Sequence, residues 1–183
     1  MKKGLILTLA LVLAIGLGIG ITLAYLYTDT PSLKNTFEYG DVNIKLEETT
    51  GTTYKMIPGN NIAKDPTVTV LKDSEACWLF VKVEKSDNFD TFMTCGIASG
   101  WTHLTGENGV YYREVSATEE DTPFPVLAGS AVYVKPSVTK EMLKAEDFTS
   151  PTLTFTAYAV QKANVENVTE AWALVGTKGV PTT

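Results

Sequence analysis

The first 24 residues place the strongest constraint on this chain. Met1, Lys2 and Lys3 form a short basic start, and residues 4–24 carry no charged side chain. This apolar run ends in a small residue, Ala24. Such an order is typical of a secretory signal peptide. We therefore expect cleavage between Ala24 and Tyr25, and a secreted protein that works outside the cytoplasm.

Two other fates of the apolar run stay open. A stretch of about 20 apolar residues is also long enough to span a bilayer as a retained anchor. Gly16, Gly18 and Gly20 lower the helix propensity of its second half by roughly 1 kcal/mol each, which favours a cleavable end. A pilin-type leader cut near Gly4 is the third fate, but the early Glu that pilins usually carry in this helix is missing.

The charge of the remaining chain limits its partners. Without Lys2 and Lys3, 13 basic residues stand against 21 acidic ones, which gives a net charge of −8. Nucleic acids and anionic lipids bind to basic patches, so neither is expected as a partner. The apolar content of 44% excludes disorder over most of the chain, whose length suffices for one domain with its own core.

After residue 35, apolar and polar residues alternate along several short stretches, as in half-buried β-strands. In the clearest stretch, residues 77–84, the side chains of Leu79, Val81 and Val83 fall on one face, which we expect to join the core. The predicted strands comprise residues 37–46, 67–70, 77–84, 101–104, 110–115, 131–135 and 152–161.

Turn residues and strand composition indicate how these strands connect. Residues 106–109, Gly-Glu-Asn-Gly, predict a hairpin between two of them. The stretch 152–161 is long and rich in Thr, Phe and Tyr, and is predicted to be a central strand. About seven short strands favour a mainly β fold, an antiparallel β-sandwich of jelly-roll type.

Two short helices complete the prediction. Residues 138–145 form one, capped by Thr139, and residues 166–175 form the other, with Asn164 as N-cap and Gly176 at its end. The predicted organisation is a signal peptide at 1–24, an N-terminal segment at 25–35, a β-sandwich domain at 36–176 and a tail at 177–183.

The sequence predicts no catalytic residue, metal site or cofactor. His103 is the only histidine, and we expect it at the surface or half-buried in a strand. A single histidine excludes the His-Glu-x-x-His zinc motif. Glu119, Glu120 and Asp121 form the only acidic cluster, which is expected to be a solvated loop, with a weak calcium site as the alternative.

The two cysteines leave two readings open. Cys77 and Cys95 are candidates for a disulfide in an oxidising compartment. Alternatively, Cys77 is a buried free thiol on the core face that it shares with Leu79, because a free cysteine buries well as a small apolar residue.

The residues around the leader junction, together with a second block, carry a family resemblance. An aromatic residue and an aspartate are followed by Thr-Phe, a glycine and alternating apolar residues. A Pro-Gly turn and Lys64-Asp65 come next. These places are taken by Tyr25, Asp29, Thr36, Phe37, Gly40, Val42, Ile44, Pro58 and Gly59. The pattern resembles the TasA and camelysin family of exported proteins of Gram-positive bacteria, over residues 1–84.

The resemblance implies processing by a SipW-type signal peptidase and a jelly-roll subunit that assembles with copies of itself. The product would be an extracellular fibre of a biofilm matrix, with other matrix components as candidate partners. In donor-strand complementation the N-terminal segment of one subunit fills a gap in the sheet of the next. The residues that would form this strand are Tyr25, Leu26, Tyr27, Thr28 and Asp29.

Three alternatives remain beside this implied function. In the first alternative, the N-terminal segment is an ordinary flexible terminus that pairs with no other subunit. Camelysin relatives have been classed as metallopeptidases, but one histidine without zinc-binding spacing gives this activity little support. A monomeric surface-binding module for glycans or host protein is the other, since β-sandwiches host many functions.

Overall fold

Short apolar–polar alternations separated by turn residues give this chain many brief strands. The computed structural model describes residues 41–51 and 54–177, and this part contains ten strands and three helices. The strands are β1 (Ile44–Glu47), β2 (Asn61–Ala63), β3 (Thr67–Val70), β4 (Cys77–Lys85), β5 (Met93–Thr94), β6 (Thr102–His103), β7 (Val110–Val115), β8 (Thr122–Pro125), β9 (Ala131–Val134) and β10 (Leu153–Gln161). The helices are α1 (Phe89–Phe92), α2 (Lys140–Lys144) and α3 (Val168–Thr177).

All strand pairs are antiparallel, in three sheets. The first sheet has the order β1-β3-β8, the second β10-β4-β7-β6 and the third β2-β9-β5. The central strand β4 pairs with β10 over all nine residues, from Leu153 opposite Lys85 to Gln161 opposite Cys77. The predicted mainly β, antiparallel fold is confirmed for the described residues.

The first two sheets pack face to face around one apolar core. Val68 and Val70 of the first sheet and Leu79 and Val81 of the second are fully buried there. Strand β10, next to β4 in the second sheet, adds Phe155 to the same cluster. The predicted face of Leu79, Val81 and Val83 is therefore confirmed, and the two sheets form a sandwich-like pair.

Helix α3 covers the other face of the second sheet. The ring of Phe80 lies 5.2 Å from that of Trp172, between centroids, and Tyr158 lies 5.7 Å from the same indole. Ala171, a residue of this helix, is fully buried. The second sheet therefore has apolar contacts on both faces, whereas the third sheet packs with α1 and α2 around a separate cluster of Phe89, Met93 and Val134.

The predicted hairpin at 106–109 is confirmed. The N–H of Leu104 donates to the carbonyl of Val110 at 2.9 Å, and β6 pairs with β7. Gly106 and Gly109 have φ of 90° and 70°, the left-handed region that glycine enters without strain. At Gly109 a Cβ would also overlap the carbonyl oxygen of Val83, so only glycine fits there.

The prediction that residues 152–161 form a central strand was wrong about the position of this strand. Residues 152–161 form a strand, β10, but this strand lies at the edge of its sheet rather than at the centre. Its apolar composition has a different origin: Phe155 and Ala157 contact the sandwich core, while Tyr158 and Val160 contact the cluster beneath α3. Burial of both faces, and not hydrogen-bonded neighbours on both sides, explains the sequence.

The helix predictions were partly right. Thr139 caps α2, accepting a hydrogen bond at its side chain from the N–H of Met142. The N-cap of α3 is Asn167, whose side chain accepts from the N–H of Glu170 at 2.9 Å. Asn164 instead has φ of 63° in the preceding turn, and Gly176 lies inside the last turn of the helix. The short elements β2, β5, β8 and α1 were not predicted.

Candidate assembly edge

The edges of the two sandwich sheets differ in how they are protected. An unpaired edge is a template for another chain, and most proteins block it with prolines, charges or short strands. Within residues 41–51 and 54–177, strands β1, β8, β6 and β10 each have one side without a strand partner.

Strand β10 is the longest of the four. Its nine residues, Leu-Thr-Phe-Thr-Ala-Tyr-Ala-Val-Gln, include no charge, no proline and no glycine. No other strand in the described part of the chain pairs with its outer side. The sequence of this strand therefore has none of the residue types that usually protect an edge.

The flanking hydrogen bonds show which residues of β10 turn outward. The N–H of Lys162 donates to the carbonyl of Ala76 at 2.8 Å, and the N–H of Ser86 donates to that of Thr152 at 3.0 Å. Hydrogen-bonded and non-hydrogen-bonded pairs alternate along an antiparallel ladder. Even-numbered residues of β10 therefore bond to β4, and the N–H and C=O groups of the odd-numbered ones point to the open edge. These are Leu153, Phe155, Ala157, Ala159 and Gln161.

Strand β8 is blocked at the corresponding positions. The N–H of Val126 donates to the carbonyl of Pro66 at 2.9 Å, so residues 122 and 124 point inward to β3 by the same alternation. The outward positions are Pro123 and Pro125, which have no N–H to donate. The carbonyl of Pro125 accepts a hydrogen bond from the indole nitrogen of Trp101 at 2.9 Å.

The other two edges are short. Strand β6 has only two residues, Thr102 and His103. Strand β1 has four, and the side chains of Lys45 and Glu47 form an ion pair of 2.9 Å on its solvent face. Charges on a short edge strand oppose the addition of another strand. Among the sandwich edges, β10 alone is both long and unprotected in the described part of the chain.

A cleft lies beside the beginning of β10. It consists of two cavities, of about 430 Å³ and about 300 Å³, that share Lys64 and Leu153 in their walls. The larger cavity is lined by Tyr54, Met56, Ile62, Lys64, Phe89, Met93, Val132, Ser150, Pro151, Thr152 and Leu153. The smaller is lined by Leu46, Glu47, Glu48, Lys64, Pro66, Leu153, Thr154 and Phe155. The first three residues of β10, Leu153, Thr154 and Phe155, therefore line the cleft.

Lys64 stands between the two cavities and is neutralised within the protein. Its Nζ lies 2.8 Å from both carboxylate oxygens of Glu48, and only 12% of its side chain is exposed. The same nitrogen lies 5.3 Å from the ring centre of Tyr54 and 5.6 Å from that of Phe155. A paired and partly desolvated lysine fixes the wall of the cleft rather than presenting a free charge.

Asp65 holds the loop that follows β1. Its carboxylate accepts hydrogen bonds from the N–H and hydroxyl of Thr49, at 2.9 and 2.5 Å, and from those of Thr50, at 3.1 and 3.0 Å. These donors lower the pKa of Asp65 from its ordinary 3.8 to about 2. The hydroxyl of Tyr54 donates to Glu48 at 2.8 Å, which joins this loop to the wall of the cleft.

The residues predicted from the family pattern fall in two groups. Ala24, Tyr25, Leu26, Tyr27, Thr28, Asp29, Thr36, Phe37 and Gly40 lie outside the described residues. Val42, Ile44, Pro58 and Gly59 lie inside them. Ile44 begins β1 opposite Val70, and its side chain packs against the sandwich core.

The Pro-Gly pair forms the predicted turn. The N–H of Asn60 donates to the carbonyl of Ile57 at 3.1 Å, with Pro58 and Gly59 between them. Gly59 has φ of 79°, which the third residue of such a turn requires and glycine supplies. The turn leads directly into β2 and on to Lys64 and Asp65 beside the cleft.

The two cysteines are free thiols in this structure. Cys77 is fully buried in the sandwich core, whereas Cys95 is half-buried against the cluster of the third sheet. The candidate disulfide is therefore not formed. Burial raises the pKa of the Cys77 thiol to about 11 and also raises that of Cys95, so both are protonated at neutral pH.

The described residues do not assemble a metal-ligand cluster. No group of three or more His, Cys, Asp or Glu side chains with metal-binding geometry occurs among them. His103 is exposed in β6, with its ring 5.3 Å from that of Tyr111. In the acidic cluster, Asp121 accepts a hydrogen bond from the N–H of Lys72.

Sequence reasoning missed the edge pattern and the ion pair of the cleft. Alternating prolines in Thr-Pro-Phe-Pro do predict an edge strand with its missing donors outward, and this signal was available for β8. Nothing in the sequence pairs Glu48 with Lys64, because the two residues come together only through the turn at Pro58-Gly59.

Comparisons of this chain with protein-family models, curated proteins and solved structures give no match. In the described ranges, no helix has both the length and the apolar character needed to cross a bilayer.

Proposed function

We propose that this chain is an exported structural subunit that polymerises with copies of itself into extracellular fibres of a biofilm matrix. The observation that carries the proposal is the outer edge of β10, nine residues long and without charge, proline or glycine. Backbone groups at an open edge bind an added strand, and the side chains of that strand determine its register.

The donated strand is the N-terminal segment in this proposal. Processing by a SipW-type signal peptidase between Ala24 and Tyr25 would leave residues 25–35 at the new N-terminus. Tyr25, Leu26 and Tyr27 have the β-forming character that strand addition needs. An extended segment of about ten residues spans roughly 33 Å, enough to run along the whole of β10.

The cleft supports this arrangement. An added strand that pairs with the outward groups of Leu153 and Phe155 would bring its alternate side chains to the two cavities. Both apolar and polar side chains line these cavities, and Lys64 in the wall between them is already neutralised by Glu48. The two facing antiparallel sheets also support the jelly-roll subunit that the family resemblance implies.

Removal of the N-terminal segment tests the proposal. We expect a variant that lacks residues 25–34 to be secreted as a folded monomer that forms no fibres, as measured by size-exclusion chromatography and electron microscopy. Leu26→Pro should weaken assembly in the full-length segment, because proline removes a ladder donor. One residue added before Tyr25 serves as the control and should change little. Wild-type fibres from the truncated protein would refute strand donation by this segment.

A further inference from the structure

Arg113 is the only arginine of the chain, and it has no anionic partner among the residues that the structure describes. Its guanidinium carbon lies 4.1 Å from the ring centre of Phe124 and 5.3 Å from that of Trp101. Burial lowers the pKa of Arg113, and no nearby carboxylate offsets this effect. In a chain with 21 acidic residues, a partly desolvated arginine without a carboxylate partner is unusual.

The surroundings hold this guanidinium in place. The indole of Trp101 is fixed by its hydrogen bond to the carbonyl of Pro125, at 2.9 Å. Gly100 has φ of 86°, and a Cβ at this position would overlap the Nη2 atom of Arg113. The guanidinium therefore occupies space that the missing side chain of Gly100 leaves open. No hydrogen bond from its N–H groups to the described residues is formed, so these donors have no partner in that part of the protein.

Two more rings lie on the same face of the second sheet as Arg113. Tyr111 and Arg113 are two residues apart in β7, so their side chains leave the same face about 7 Å from each other. The exposed His103 packs its ring edge-on against Tyr111, with centroids 5.3 Å apart. The guanidinium of Arg113 and the rings of Tyr111 and His103 therefore share one face of the second sheet.

We propose that Arg113, with Tyr111 and His103 beside it, binds the carboxylate of a uronic-acid sugar in an acidic polysaccharide. A guanidinium held in one plane forms a bidentate pair with a carboxylate, whereas an ammonium does not. The rings on the same sheet face supply a contact for the apolar face of a sugar ring. An acidic side chain of a peptide has no such face. Arg113 is a single guanidinium without an anionic partner among the described residues, so one carboxylate is the favoured ligand.

The site and the open edge of β10 lie on different strands of the second sheet, separated by β4. Binding through Arg113 therefore does not depend on strand addition. A variant that loses sugar binding is expected to assemble as wild type does, so the two proposals fail independently.

A titration with defined oligosaccharides tests the proposal. Protein purified from cells that express the full chain is titrated with trigalacturonate, with neutral galactotriose and with triglutamate, by calorimetry. We expect binding of trigalacturonate only. Arg113→Lys should weaken it about tenfold or more, because the bidentate pair is lost, and Arg113→Met should abolish it. Lys140→Met, at an exposed site on α2, is the matched control and should bind as wild type.

The outcomes separate a ligand site from a structural brace. Arg113→Lys retains the charge and the aliphatic stem, so weaker binding at an unchanged melting temperature supports the site. Absence of trigalacturonate binding in the wild-type protein would overturn the proposal, as would equal affinities in the wild type and both Arg113 variants. Equal binding of triglutamate would refute the assignment to a sugar.

Discussion

Strands β8 and β10 are both edges of the sandwich, and they use their outward positions in opposite ways. In β8 the two residues whose N–H groups would point outward are Pro123 and Pro125. In β10 all five outward residues have an N–H group, and the strand is more than twice as long. The same ladder alternation that leaves β8 without outward donors gives β10 a continuous row of them. Openness at β10 is therefore specific to this edge rather than a general property of the domain.

The largest effect is expected when β10 receives an outward proline like those of β8. Ala157→Pro places a proline at an outward position, so it removes an outward donor and leaves the hydrogen bonds to β4 intact. We expect a folded protein that forms no fibres, as measured by electron microscopy and by circular dichroism.

The neighbouring position provides the matched control. Thr156 pairs with Lys82, and its N–H points to β4. Thr156→Pro should therefore destabilise the fold by about 2–4 kcal/mol, measured by denaturant unfolding. If Ala157→Pro forms fibres as well as the wild type does, the edge of β10 is not the acceptor.

The reverse change gives β8 the feature of β10. Pro123→Val and Pro125→Val together restore two outward donors on an edge whose partner strand, β3, is buried. We expect lateral association of fibres or larger oligomers in place of single fibres, with a smaller effect on the amount of polymer. Analytical ultracentrifugation and microscopy measure this, and single fibres indistinguishable from wild type would mean that the prolines do not guard this edge.

How far the sequence predicts this structure depends on how far apart along the chain the contacting residues are. Local alternation predicted β3, β4, β7, β9 and β10 closely, since each strand shows its buried face in its own residues. The side of β10 that stays unpaired was not predictable, because burial of both faces gives an edge strand the composition of a central one. The ion pair of Lys64 with Glu48 depends on the turn between these residues, and the alternation of apolar and polar residues does not predict such a pair.

Variants of Gly106 and Gly109, in the hairpin between β6 and β7, distinguish effects on stability from effects on assembly. In Gly109→Ala, an alanine has to adopt a left-handed φ, and its Cβ overlaps the carbonyl oxygen of Val83. We therefore expect a loss of about 2–4 kcal/mol in unfolding free energy. Gly106 has a similar φ of 90° but open space around it, and Gly106→Ala should cost about 1 kcal/mol. At temperatures well below the melting point both variants should assemble, because β10 is unchanged. Fibre loss in Gly106→Ala would show that assembly follows stability and not the open edge.

The smallest effect is expected at the loop beside the cleft. The pKa of Asp65 is lowered to about 2 by the donors of Thr49 and Thr50, so its ionised form stabilises the folded loop. A lowered pKa gives stabilisation that is present above the ordinary value of 3.8 and is lost as the pH falls through about 2. The amide proton resonances of Thr49 and Thr50 should therefore shift with a midpoint near pH 2, as measured by NMR.

Asp65→Asn tests whether this carboxylate also supports the open edge. The amide retains one acceptor oxygen but carries no charge, so the shift of the Thr49 and Thr50 amides with pH should disappear. Because the loop reaches the cleft through Tyr54 and Glu48, we expect slightly slower fibre growth at neutral pH and an unchanged fibre structure. Asp147→Asn, at an exposed site away from this loop, is the control and should leave the midpoint and the growth rate as they are. A midpoint near pH 4 in the wild-type protein would show that the hydrogen bonds to Asp65 are not maintained in solution, and the wall of the cleft would then be less fixed than the edge of β10 beside it.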